Sequence, residues 1–159
     1  STKDFFVAQC SSIGTLGPEK NWFGSFKQSL AGDGELQPLK FVWPTAEEVR
    51  TSSRGYSSGG SIPFNEATYQ KQLWIRGYAH NWKAEWCGRT KVSPHIKTYG
   101  RLSSDSGVFR WLLVTSHNMS KAAWGELQIV RGVKDQQLFI RSYELGVFFP
   151  QPLVPLGAA

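Results

Sequence analysis

The sequence predicts an α/β layered domain with a mixed β-sheet flanked by helices, and three observations predict it. Short apolar runs bounded by turn residues recur along the chain, helical spacings of large apolar residues fall between them, and the composition is that of a chain with one core. With 159 residues, 40% of them apolar, 14% aromatic and only 19% charged, the chain can bury a real core and has too little charge for disorder. No internal repeat and no domain boundary divides residues 1–159, so they read as a single domain.

The elements follow in order. Residues 5–8 (FFVA) read as a buried strand that ends in the small, polar run 9–17. Residues 21–30 place Trp22, Phe23, Phe26 and Leu30 at helical spacing, and the glycines at 32 and 34 break that helix. A short strand at 39–43 precedes Pro44. Thr45 and Glu48 then have the spacing of a capping box, which predicts a helix start. Residues 55–61, with serines and glycines consecutive at 57–60, read as a loop. The longest helical stretch is expected over 65–86, with Tyr69, Leu73, Trp74, Tyr78 and Trp82 on one face. Strand signals follow at 95–99, 109–115 and 138–149, the last as two strands or one bent strand. A short helix fits 120–124. The prolines at 150, 152 and 155 read as a departing linker or a truncation.

Strictly apolar runs such as 111–114 are far too short to cross a bilayer, and the opening residues have no signal-peptide character, so a soluble protein with no membrane partner is expected. The formal charge of +6 suits a polyanion but does not by itself assign one. Cys10 and Cys87 are too few for a disulfide framework and read as an unbonded pair in a reducing compartment, with a single bridge between them the alternative. With His80, His95 and His117 they show no spacing typical of zinc, so neither a metal nor any other cofactor is expected. The seven tryptophans could offer a stacking platform for single-stranded nucleic acid, but most fall on expected core faces. His80, in an aromatic neighbourhood, reads as structural.

The chemistry gathers at two places. On a strand, His95 and Lys97 project to one face and Ile96 to the other. An imidazole that titrates near neutrality beside an ammonium supplies two parts of a phosphoryl-transfer site. The tripeptide alone fits a half-exposed strand with a solvated lysine equally well. Residues 114–121 (VTSHNMSK) are an apolar strand running into polar residues and a helix start, a place suited to anions. Asn118 offers a neutral amide NH2 to an oxyanion; ordinary N-capping by Asn118 or Ser120 is the competing role.

The runs PHIKTY (94–99), TSHNMSKAAWG (115–125) and IRSYELG (140–146) resemble the tyrosyl-DNA phosphodiesterase branch of the phospholipase D superfamily. The segments 10–17 and 49–63 are similar as well, in the same order along nearly the whole chain. General phospholipase D enzymes follow the pattern HxKxxxxD; this chain has Leu102 at the aspartate position, as that branch does.

The resemblance implies that His95, Lys97 and Asn118 form one half of a catalytic site, with Glu144 a supporting carboxylate; pairing of Glu144 with Arg141 is the alternative. It places Ser11, Ser12, Thr15, Ser61, Lys71, Ser120 and Lys121 along a DNA strand and Pro63 near the peptide side of the substrate. For Lys71 a solvated helix face is an equal alternative. His117 stands where the family has a small residue and reads as a substitution tolerated beside the site. The implied reaction is DNA repair: hydrolysis of 3′-phosphotyrosyl adducts, the topoisomerase I remnants at a single-stranded or duplex 3′ end, through a phosphohistidine. His95 resembles the acid and base. No second His-x-Lys is present, so the chain is expected to be a fragment of the C-terminal half, inactive alone and partnered by the N-terminal half. The implied compartment is the nucleus, with cytoplasm or mitochondrion beside it. Two alternatives stay open: a homodimeric single-motif nuclease of the same superfamily, and a non-catalytic DNA-binding module on this fold.

Overall fold

The computed structural model describes residues 4–151. A six-stranded mixed sheet organises it, in the order β3-β2-β1-β4-β5-β8. β1 (Asp4–Gln9), β2 (Leu39–Trp43) and β3 (Ala79–Asn81) run parallel, while β4 (Lys97–Ser103), β5 (Phe109–Thr115) and β8 (Gly146–Pro150) continue the sheet in antiparallel pairs. A separate hairpin joins β6 (Glu126–Gln128) to β7 (Gln137–Phe139). The parallel portion requires crossovers, and the first is α1 (Asn21–Ala31), whose Phe23 and Phe26 are buried.

The core lies between α1 and the sheet. Phe6 and Ala8 of β1, Leu39 and Phe41 of β2, and Tyr99 of β4 are buried against Phe23 and Phe26. Period-2 alternation puts Phe5 and Val7 on the other, only partly covered face. Most tryptophans pack against the core, and two of them fix the loops around it: Trp22 Nε1 donates to the Gly125 carbonyl at 2.7 Å and Trp74 Nε1 to the Gly17 carbonyl at 3.1 Å. Asp4, buried at the start of β1, receives Arg101 at 2.8 Å and Arg110 at 3.5 Å. Cys10 and Cys87 are free, and burial pushes the Cys10 thiol up to about 12.

The expected capping box is present, with Thr45 Oγ1 accepting from Glu48 N at 3.1 Å and Glu48 returning the bond to Thr45 N, at the start of α2 (Ala46–Arg50). The helix expected over 65–86 is different. α3 (Glu66–Gln70) ends after five residues, followed by a 3-10 helix (Leu73–Tyr78), strand β3, and a second 3-10 turn (Glu85–Cys87). Gln72 causes the break: its backbone leaves helical values (φ −143°, ψ 45°) and its side chain is fully buried. Tertiary bonding of that amide overrides a helical pattern which sequence spacing alone supports. Residues 55–61, expected as a loop, form a 3-10 helix (Gly55–Ser61) whose buried Ser58 hydroxyl meets that of Ser52 at 2.9 Å. The segment 138–149 divides into two strands of different sheets. The helix expected at 120–124 is α4 (Lys121–Trp124), with Ser120 as its N-cap.

Candidate active site

The C-terminal ends of β1 and β5 and the N-terminal end of β4 meet at one edge of the sheet, because Gln9 pairs with Thr98 and Lys97 with Thr115. The loops leaving β1 and β5 are then stitched to each other. Ile13 and Met119 form a parallel bridge, Gly14 N donates to the Met119 carbonyl at 2.9 Å, and Met119 N donates to the Ser12 carbonyl at 3.3 Å. The approach demands glycine at 14: a Cβ there would lie 2.9 Å from Ser120 Cβ.

This stitching fixes Asn118. Its Oδ1 accepts from Ser11 N at 3.1 Å, Ser12 N at 3.0 Å and Ser11 Oγ at 3.2 Å. Two backbone N–H donors can face only the oxygen of a carboxamide, so the orientation is determined and the NH2 is left to donate elsewhere. Asn118 therefore does not cap α4; Ser120 does, with its hydroxyl accepting from Ala123 N at 3.2 Å. Ser11 is buried at 2% exposure and its hydroxyl is committed to Asn118, whereas Ser12 is half-buried and Thr15 exposed.

His95 precedes β4 instead of lying on it. Pro94 comes before it, and the Ile96 carbonyl accepts from Gln9 Nε2 at 3.1 Å in place of a ladder bond. Ile96 is 52% exposed and does not pack on the opposite layer, contrary to the expectation from strand alternation. His95 and Lys97 are nevertheless together. Lys97 Nζ lies 3.4 Å from His95 Nδ1 and donates to the His95 carbonyl at 2.8 Å. An ammonium can only donate, so a neutral His95 in this contact accepts at Nδ1 and holds its proton on Nε2.

Glu144 accepts from Ser116 Oγ at 2.5 Å, and Ser116 in turn accepts from Leu145 N at 3.0 Å. Among the described residues it forms no ion pair with Arg141. Next to it, Thr115 Oγ1 donates to the Leu145 carbonyl at 3.0 Å and meets His117 Nδ1 at 2.5 Å, so neutral His117 is protonated at Nδ1. The His117 ring lies on Trp124 at 4.5 Å, and burial lowers its pKa, partly opposed by the charge of Glu144. Burial also holds the Tyr99 phenol well above its ordinary range, so it remains a neutral donor to the His117 carbonyl at 3.1 Å.

Of the other expected contacts, Lys121 is half-buried and paired to Glu126 at 3.1 Å. Ser61 shares a cleft with His95, Pro63 is exposed just beyond it, and Lys71 is exposed at the end of α3, with no contact to the other site residues among the described ones. Gln72 was not legible as part of the site. Its Oε1 accepts from Leu16 N at 2.8 Å and its Nε2 donates to the Gly14 carbonyl at 3.0 Å, which props the loop that holds Asn118.

The model of the tyrosyl-DNA phosphodiesterase family matches residues 1–157. The chain belongs to the tyrosyl-DNA phosphodiesterase family. It is 43% identical over 170 residues to a probable tyrosyl-DNA phosphodiesterase of Caenorhabditis elegans, covering 96% of this chain and 37% of the relative. It is 39% identical over 159 residues to tyrosyl-DNA phosphodiesterase 1 of Arabidopsis thaliana, covering 95% of this chain and 25% of that protein. The crystal structure of yeast tyrosyl-DNA phosphodiesterase superposes with a TM-score of 0.62 at 23% identity, over 94% of this chain and 40% of that one. The shared architecture is the phospholipase D-like fold. The chain thus spans well under half the length of these family members.

Proposed function

We propose that this chain supplies the acid/base half of a tyrosyl-DNA phosphodiesterase, a hydrolase of DNA repair that removes tyrosine-linked peptide, such as a topoisomerase I remnant, from a DNA 3′ end. The observation that carries the reading is the locked Asn118 carboxamide, its NH2 free, at the same sheet edge as the His95–Lys97 pair. An amide already held in place and an adjacent ammonium would stabilise the charge developing on phosphoryl oxygens.

In the proposed reaction a histidine from a second His-x-Lys half attacks phosphorus and forms a P–N bond. The P–O bond to tyrosine breaks, and His95, entering this step as imidazolium, gives one proton to the leaving phenolate oxygen and is left neutral. His95 then takes a proton from water as the water oxygen bonds to phosphorus. The P–N bond breaks, leaving a DNA 3′-phosphate and the free second histidine. Glu144, through Ser116, would orient this end of β5. Ser12, Thr15, Ser120 and Lys121, on the loops after β1 and β5, would track the DNA strand; Lys121 first has to release Glu126.

The second half is the partner this reading needs. Leu138, Phe139, Leu145, Val147 and Phe148 are 49–82% exposed on β7, β8 and the loop between them. An edge strand with apolar side chains open on both faces is normally covered in the intact protein. The proposed compartment is the nucleus.

The test uses the native full-length protein and a labelled oligonucleotide ending in 3′-phosphotyrosine, with chelator present. The expected products are a 3′-phosphate strand and free tyrosine, and Asn118→Ala should slow their formation about 10²-fold or more. No release of tyrosine by the native protein would overturn the proposal.

A further inference from the structure

The cleft that Ser61 shares with His95 has further walls. It measures about 350 Å³, and its lining includes Ser53, Arg54, Ser61, Lys91, Ser93 and His95. Two segments far apart in sequence make its walls. Arg54 leads into the 3-10 helix Gly55–Ser61, and Lys91 lies on the approach to β4. They are sewn together where Ser53 N and Ser53 Oγ both donate to the Lys91 carbonyl, at 2.8 and 2.9 Å.

The charge of this cleft is unbalanced. Arg54 and Lys91 are both exposed, neither has an ion-pair partner among the described residues, and no acidic side chain lines the cleft. Ser93 Oγ is shielded from solvent and has no hydrogen-bond partner, so a hydroxyl in the lining also has unspent capacity. Two uncompensated cations and an unspent hydroxyl in the lining of one cleft suit an anion.

Position selects which anion. With His95 protonating the leaving tyrosine oxygen, as proposed above, the cleft that His95 lines adjoins the leaving group and the residues attached to that tyrosine. Of the residues expected along the DNA strand only Ser61 lines this cleft; Ser11, Ser12, Thr15, Ser120 and Lys121 lie on the loops after β1 and β5 and at the start of α4. We infer that the Arg54–Lys91 cleft is a subsite for the carboxylate side chains of an acidic peptide joined to DNA through its tyrosine. This rests on the reading of His95 as the acid.

The test compares one oligonucleotide bearing, at its 3′ end, tyrosine alone or tyrosine flanked by glutamates, glutamines or lysines. For the native full-length enzyme kcat/KM should be roughly tenfold higher with glutamates than with glutamines, as expected for charge-assisted contacts. The double variant Arg54→Glu/Lys91→Glu should reverse the order and favour lysines, which a merely structural role would not do. An unchanged order, or an equal fall on all four substrates, overturns the inference. A loss that follows oligonucleotide length and ignores the peptide assigns the cleft to strand phosphates instead, and also overturns it. Anisotropy of a fluorescent Glu-Tyr-Glu peptide without DNA separates this from failure of the catalytic reading. Salt-sensitive binding lost in the double variant supports the cleft whether or not turnover is seen, and equal binding by both proteins contradicts it.

Discussion

Asn118 Oδ1 accepts hydrogen bonds from the backbone N–H groups of both Ser11 and Ser12, at 3.1 and 3.0 Å. The residue therefore serves two needs at once: its oxygen ties the β1 loop to the β5 loop, and its NH2 remains for substrate. Two substitutions separate these. Asn118→Asp keeps an acceptor for both N–H groups but removes the donor and adds a negative charge, so it should fold near normally and lose about 10²-fold or more in kcat. Asn118→Ala leaves both donors unmatched and should also lose about 1–3 kcal/mol of stability. Thermal melts and turnover of both variants check this; equal melting temperatures would show that the tie is dispensable.

Gln72 supports the same loop from beneath. Fully buried, it satisfies Leu16 N and the Gly14 carbonyl, and Gln72→Ala orphans both and opens space. The expected cost is about 1–3 kcal/mol for each buried polar group left unmatched, measurable by denaturant unfolding. A change within about 0.5 kcal/mol, typical of a surface position, would contradict this role.

The contrast between Gln72 and Asn118 shows how much the sequence could reveal. Local signals worked where the cause was local. The Thr45–Glu48 capping box, the glycine stop after α1, the strand at 5–8 and the mixed α/β class are all readable, with Ser120 one of two possible caps. The resemblance of 94–99 and 115–125 to one family implies His95, Lys97 and Asn118 as site residues, and these segments lie at the same end of the sheet. What failed had distant causes. Nothing near Gln72 announces that its amide meets residues 56 and 58 positions earlier, so 65–86 kept a helical reading that tertiary bonding breaks. His95 was placed on the strand because periodicity cannot show that Gln9 captures the Ile96 carbonyl first. The Arg54–Lys91 cleft joins segments with no shared motif.

His117 gives a pH dependence of defined sign. Burial lowers its pKa below the usual 6.5, so between the two values the unfolded chain binds a proton that the folded chain does not. Its contribution to stability is fully present above pH 6.5 and is lost as pH falls from there toward the folded value. The melting temperature of the native protein should therefore fall more between pH 7.5 and pH 5.5 than that of His117→Gln. Parallel decline of both proteins would show that the burial of His117 has no such consequence.

The central claim is that His95 is the acid and base of the reaction, and one gel tests it most directly. Tyrosine leaves readily because its reference pKa is about 10, whereas water attacks poorly without a base. The second step should therefore suffer most when His95 is removed. Full-length protein with His95→Ala, incubated with a labelled 3′-phosphotyrosyl strand and denatured, should accumulate a covalent protein–DNA species. Lys97→Ala, which weakens both steps through lost oxyanion stabilisation, should trap less of it. Complete hydrolysis by His95→Ala at the native rate, with no trapped species on the gel, would contradict the account.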